Sequence, residues 1–98
     1  MVLEHVVLDV RPEQEHAFEA AFAEAKPLIV ASPGWQWLQL QRCLENESRY
    51  LLLVGWETLS DHLEGFRASP AYEEWRRLLH HFYDPPPVVE HFEVVAEA

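Results

Sequence analysis

The sequence predicts an α+β fold of β-α-β-β-α-β order, with a four-stranded antiparallel sheet and both helical segments on one face. Three observations carry this reading. Four short runs are β-branched or alternate in polarity; two longer runs repeat their apolar residues at helical spacing; only a polar tip separates the second and third strand-like runs. With 98 residues, the chain is expected to form one domain, residues 1–98, that buries roughly two-thirds of its unfolded surface.

Residues 2–10, Val-Leu-Glu-His-Val-Val-Leu-Asp-Val, form the first predicted strand, and Arg11-Pro12 ends it because proline cannot continue a ladder. From Pro12 to about Ala31, Phe18, Phe22, Ala25 and Ile29 recur at helical spacing, with Glu13, Glu15, Glu19 and Glu24 on the wet face. Pro27 removes one internal hydrogen bond, so a kink or an early end near Ala25 is expected. Ser32-Pro33-Gly34 marks a turn. Residues 35–43 alternate, with Trp35, Trp37, Gln39, Gln41 and Cys43 on one side and Gln36, Leu38, Leu40 and Arg42 on the other. Glu45-Asn46-Glu47-Ser48 suits a hairpin tip, and Arg49 to Trp56 is the third strand, antiparallel to the second. Thr58 and Asp61 resemble a capping box, with Leu59, Leu63 and Phe66 following at helical spacing. Ser69 as N-cap and Pro70 at the first helical position open a further piece carrying Tyr72, Trp75, Leu79 and Phe82. Asp84-Pro85-Pro86-Pro87 stops it, and Val88 to Val95 reads as the last strand. This order is the ferredoxin-like split βαβ arrangement, with the first strand interior.

Charge narrows the function. Seven Lys and Arg against seventeen Asp and Glu give 7 − 17 = −10, which supplies no basic face for nucleic acid or an anionic membrane. The opening residues Met1-Val2-Leu3-Glu4-His5 lack the pattern of a signal peptide, and a soluble, cytoplasmic protein is expected. The one cysteine, Cys43, has no disulfide partner in the chain and reads as a small buried hydrophobe. Nucleophilic catalysis and phosphate loops have no motif: there is no Gly-x-Ser-x-Gly elbow, and three glycines at 34, 55 and 65 make no nucleotide-binding turn. The six histidines do not converge by spacing. His80 and His81 point about 100° apart on a helix, and Glu13, His16 and Glu19, or His80 with Asp84, make only incomplete ion sites. Neither metal nor cofactor is expected.

Both sides of the strands are apolar. The third strand offers Tyr50, Leu52, Val54 and Trp56 on one side and Leu51, Leu53 and Gly55 on the other, and burying one large side chain is worth roughly 1.5 to 3 kcal/mol. A second copy is expected to cover the exposed side, two sheets facing one another in a barrel-like homodimer. Polar residues left inside would line a pocket for a small hydrophobic aromatic ligand. His5 and Asp9 are the leading polar groups, and Trp35, Trp37 and Trp56 its apolar walls.

Val54-Gly55-Trp56-Glu57-Thr58-Leu59, with Phe66-Arg67-Ala68-Ser69-Pro70-Ala71-Tyr72 and Pro33-Gly34, resembles the antibiotic biosynthesis monooxygenase (ABM) domain family over nearly the whole chain. The resemblance implies a dimeric α/β barrel and oxygenation of aromatic polyketides without metal or flavin, while relatives bind and degrade heme or oxidise quinols. In such oxygenation the substrate is the reductant, and the protein supplies a base, orientation and a dry cavity. Where many members carry a histidine, or heme degraders a tryptophan, this sequence has Phe66; where heme degraders have a second histidine it has Arg76; and His5 stands near their strand-one asparagine.

The first reading is a cofactor-independent monooxygenase with His5 as base or orienting group and His62 as a catalytic residue of the rim. Trp37, Trp56, Trp35, Phe66 and Tyr72 are its candidate substrate contacts. Each also has a structural reading: His5 as a core histidine, His62 as a helix-surface residue, Trp56 as packing against the second helical region, Trp35 and Trp37 as dimer core, and Tyr72 as helix core. The alternatives are a non-catalytic binding or interaction module of the same fold, which the phenylalanine at 66 favours, and a heme-binding or heme-degrading protein.

Overall fold

In the computed structural model, which describes residues 1–98, the first strand, β1 (Val2–Asp9), is paired on both edges. Along one edge runs β3 (Arg49–Trp56), antiparallel over its full length; along the other runs β4 (Val89–Phe92), paired to residues 3–6. β2 (Trp35–Arg42) pairs with β3 alone, so the sheet order is β2-β3-β1-β4. This is the expected ferredoxin-like arrangement with the first strand interior.

Strand alternation divides the sheet into two faces. Glu4, Val6, Leu8 and Val10 join Tyr50, Leu52, Val54 and Trp56 on the helix side, and all eight are buried. The helix α1 (Glu15–Val30) lays Phe18, Phe22, Ala25 and Ile29 on them, the four residues its periodicity singled out. Leu3, His5, Val7 and Asp9 face the other way, with Val7 40% and Phe92 48% exposed. An apolar sheet face this open in a small domain is a surface that another molecule covers in most soluble proteins.

The second helical region is in two pieces, as the sequence predicts. A single π-helical turn, Asp61–Phe66, closes with the Arg67 N–H donating to the His62 carbonyl at 2.9 Å. α2 (Pro70–Leu79) follows. Ser69 links the pieces: its Oγ accepts the Tyr72 N–H at 3.3 Å and donates to the Phe66 carbonyl at 2.6 Å. The Thr58 and Asp61 box is reciprocal, Thr58 N–H donating to Asp61 Oδ2 at 3.0 Å and Asp61 N–H to Thr58 Oγ1 at 3.1 Å. Asp61 also packs against Gly34, whose φ of +85° and lack of a Cβ the turn requires.

Four expectations need correction. α1 runs unbroken to Val30, because the fully buried Ile29 anchors its last turn beyond Pro27. β4 stops at Phe92 and not at Val95, because Phe92 already pairs with Leu3 near the start of β1. Cys43 is half-buried at the end of β2 and not part of the core. Trp35 and Trp37 do not share a face: Trp35 is opposite Trp56 and Trp37 opposite Gly55, so Gln36 is an extra residue that turns the two indoles to opposite sides.

Candidate functional site

Between the sheet and the helical layer lies a cleft of about 200 Å³. Its floor is Glu4, Val6, Leu8 and Leu52 of the sheet. The π turn and its end contribute His62, Phe66 and Arg67, and α2 contributes Tyr72 and Trp75. His80, Tyr83 and the Pro86-Pro87 segment complete the wall. Apolar cavities of about 150 Å³ accept benzene, so this space suits one substituted ring. It lies within a single subunit, on the side of the sheet opposite the face where the inter-sheet pocket was expected.

The buried polar groups of this cleft form a connected chain. Glu4 is 5% exposed, yet stands in a β-branched strand because period two puts it with Val6 and Leu8 on the helix side. The Trp56 indole N–H donates to its Oε1 at 2.9 Å, and His62 Nε2 lies 3.3 Å from the same oxygen. Oε2 makes no hydrogen bond within the protein. The His62 ring, 3% exposed, stacks on Trp56 with centroids 5.2 Å apart and an interplanar angle of 15°. Its other nitrogen, Nδ1, is 2.7 Å from Nε2 of His91 on β4.

Charge states follow from burial. Removal from water pushes the Glu4 carboxyl up from 4.5 to about 7, against the Trp56 hydrogen bond and the Arg67 charge, which favour the carboxylate. The same desolvation, helped by His91 and Arg67, holds His62 down at about 4. Burial thus works against the charged form of both groups, although they lie at ion-pair distance, 3.3 Å apart. His80 and His91 are also shifted down, His80 by burial, Arg76 and Arg67, and His91 by burial and Arg67.

Of the sequence-predicted residues, His62, Phe66 and Tyr72 line the cleft together. Trp56 stands behind it, fully buried, holding Glu4 and His62 in place. Trp35 packs on the core beside β3, with its indole N–H unpartnered. His5 and Trp37 lie on the opposite face: His5 packs edge-on against Phe92 at 5.4 Å, and Trp37 covers Gly55 and donates to Met1 Sδ at 3.3 Å. Asp9 pairs with Arg49 at 2.9 Å. No three His, Cys, Asp or Glu side chains converge to hold a metal ion, since His62 turns opposite ring nitrogens to Glu4 and His91. Glu4 and His91 escaped the sequence reading, although their shared alternation with Val6 and Val89 marks both for the helix side.

The family model for antibiotic biosynthesis monooxygenases matches residues 1–78, which include both β1 and the π turn of this cleft. The chain belongs to the antibiotic biosynthesis monooxygenase family. It is 50% identical over 95 residues, 97% of this chain and all of the other, to the uncharacterized protein YczJ of Bacillus subtilis strain 168. A Bordetella bronchiseptica protein placed among the antibiotic biosynthesis monooxygenases has a crystal structure 37% identical to this chain, covering 97% of each, with a TM-score of 0.91. SnoaB of Streptomyces nogalater, a cofactor-independent oxygenase, shares the fold at a TM-score of 0.85, with 17% identity over 98% of this chain and 94% of its own. Within the ABM fold of this chain, no helix is long and apolar enough to cross a membrane.

Proposed function

We propose that this ABM-family protein is a cofactor-independent monooxygenase that oxidises a small, single-ring phenol or quinol in the cleft between its sheet and helices. The observation that carries the reading is Glu4, a buried carboxyl that lines a largely hydrophobic cleft and whose ionisation is pushed up toward neutrality by burial. As carboxylate it takes the acidic proton of the bound substrate. The electron-rich anion then reduces O₂ directly. For a hydroquinone, O₂ bonds to a ring C–H carbon and the hydroperoxide loses water to leave a hydroxyquinone, so one oxygen atom enters the product and the other leaves as water. His62 lies 3.3 Å from Glu4 and lines the same cleft, while Phe66 and Tyr72, perpendicular to one another with centroids 5.5 Å apart, wall it in. His5, Trp35 and Trp37 do not reach this space.

The open face of the sheet supports a homodimer. Val7, Leu51, Leu53, Trp37 and Phe92 would meet their counterparts in a second copy, and Gly55 lets Trp37 lie flat against the strand. Covering this face stiffens β1 and β3, the floor of the cleft.

Oxygen uptake with a panel of single-ring hydroquinones and phenols tests the function. Turnover by the pure protein, falling at least tenfold in Glu4→Gln, supports it. No turnover on any member, or turnover unchanged in Glu4→Gln, overturns it; tight binding without turnover would assign the cleft to carriage or sensing.

A further inference from the structure

We infer that Glu4, His62 and His91 form a proton path through which the carboxyl in the cleft exchanges its proton with solvent at the sheet edge, behind a bound ligand. The purpose of such a path rests on the cleft being the substrate site; its geometry does not. Glu4 is buried and lines the cleft, so a ring that fills it keeps water from the carboxyl, and ionisation of the base needs another exit. His62 Nε2 is 3.3 Å from Glu4 Oε1, and His62 Nδ1 is 2.7 Å from His91 Nε2. Exposure rises along the path, from Glu4 and His62, both buried, to His91, which is half-buried. His91 is on β4, an edge strand paired only with β1, and it is not among the residues lining the cleft.

Two proton arrangements fit these distances, with the 3.3 Å Glu4–His62 contact tightening into a hydrogen bond as the proton passes. With Glu4 protonated, its O–H donates to His62 Nε2, His62 Nδ1–H donates to His91 Nε2, and His91 carries its proton on Nδ1. With Glu4 ionised, His62 Nε2–H donates to the carboxylate and His91 Nε2–H donates to His62 Nδ1. Passing between them moves each proton one step outward and releases one to water from His91 Nδ1, so charge and atoms balance. Trp56 holds the path rigid, its N–H on Oε1 and its face on the His62 ring. The other titratable or charged groups near it are Arg67 after the π turn, and His80, Tyr72 and Tyr83 across the cleft. Arg67 has no proton to accept, and the latter three line the space that a ligand occupies.

The test is ¹⁵N NMR of the full chain labelled at histidine, across about pH 5 to 9, where tautomers are read directly. The expected result is that His62 changes from Nδ1–H to Nε2–H, and His91 likewise, at one shared midpoint near 7, the ionisation of Glu4. In Glu4→Gln both changes are lost while coupling across the His62 Nδ1 and His91 Nε2 hydrogen bond persists, which shows that the variant is folded. Fixed tautomers in the wild-type protein, different midpoints for the two rings, or a change that survives Glu4→Gln would overturn the path. None of these readings needs turnover. Coincident changes in a protein that consumes no oxygen would remove the oxygenase and keep the path; turnover with fixed tautomers would do the reverse.

Discussion

Replacing Glu4 by glutamine tests whether the buried carboxyl is neutral in the folded protein. The folded value of about 7 lies above the ordinary 4.5. Above pH 4.5 the unfolded chain therefore binds fewer protons at this residue than the native one, and native stability falls as pH rises until Glu4 itself ionises near 7. At about 1.4 kcal/mol per pH unit, the fall amounts to about 3 kcal/mol. His62, held at about 4 against 6.5, works in the opposite sense: its contribution is lost as pH falls from 6.5 toward 4. In the wild-type protein the two slopes offset one another over most of the acidic range. Subtracting the wild-type curve from that of Glu4→Gln isolates Glu4. Glutamine keeps an acceptor for the Trp56 N–H, so the two proteins should match near pH 4.5, with the variant more stable by about 3 kcal/mol at pH 8. Urea unfolding followed by tryptophan fluorescence, at fixed protein concentration and at intervals between these pH values, measures the difference. A flat difference, or a variant less stable than wild type at pH 8, would mean that Glu4 is an ionised partner of His62 in the native state.

Other outcomes follow from the packing. Gly55→Ala places a Cβ 2.2 Å from Trp37 Nε1 and should cost about 1–3 kcal/mol, most of it restored by adding Trp37→Leu, as read by chemical unfolding. Ser69→Ala removes the N-cap of α2 and should cost about 1 kcal/mol in the same assay. Phe66→Ala, at a site 1% exposed, should cost about 3–5 kcal/mol. Val7→Glu changes an exposed residue of the open face; sedimentation should show the proposed dimer for the wild type and an 11.5 kDa particle for the variant, with the circular dichroism of the fold unchanged.

Much of the fold was legible because local rules agreed with one another. Phe18, Phe22, Ala25 and Ile29 repeat at helical spacing and are the residues α1 buries; Ser69-Pro70 caps and starts α2 as those residue types do in general. The inserted Gln36 was not legible, since one extra residue in an alternating strand leaves no mark on composition yet reverses the face of everything before it. The site was legible in part. Phe66 and Tyr72 stand in the stretch that resembles the family and His62 one helical turn before Phe66, and the three do meet at the cleft. Glu4 was passed over because a carboxylate in a strand reads as a wet residue. Its burial depends on Trp56 and His62, 52 residues away or more along the chain, and no local pattern reports such a contact. His5 drew attention as a histidine among apolar neighbours, but alternation turns it away from Glu4.

Mapping where a one-ring ligand settles tests the account most directly. In a titration of the labelled protein with hydroquinone under argon, side-chain NMR signals of Val6, His62, Phe66 and Tyr72 should move together and saturate. Movement confined to His5, Val7 and Trp37 on the opposite face, with the cleft signals still, would contradict it.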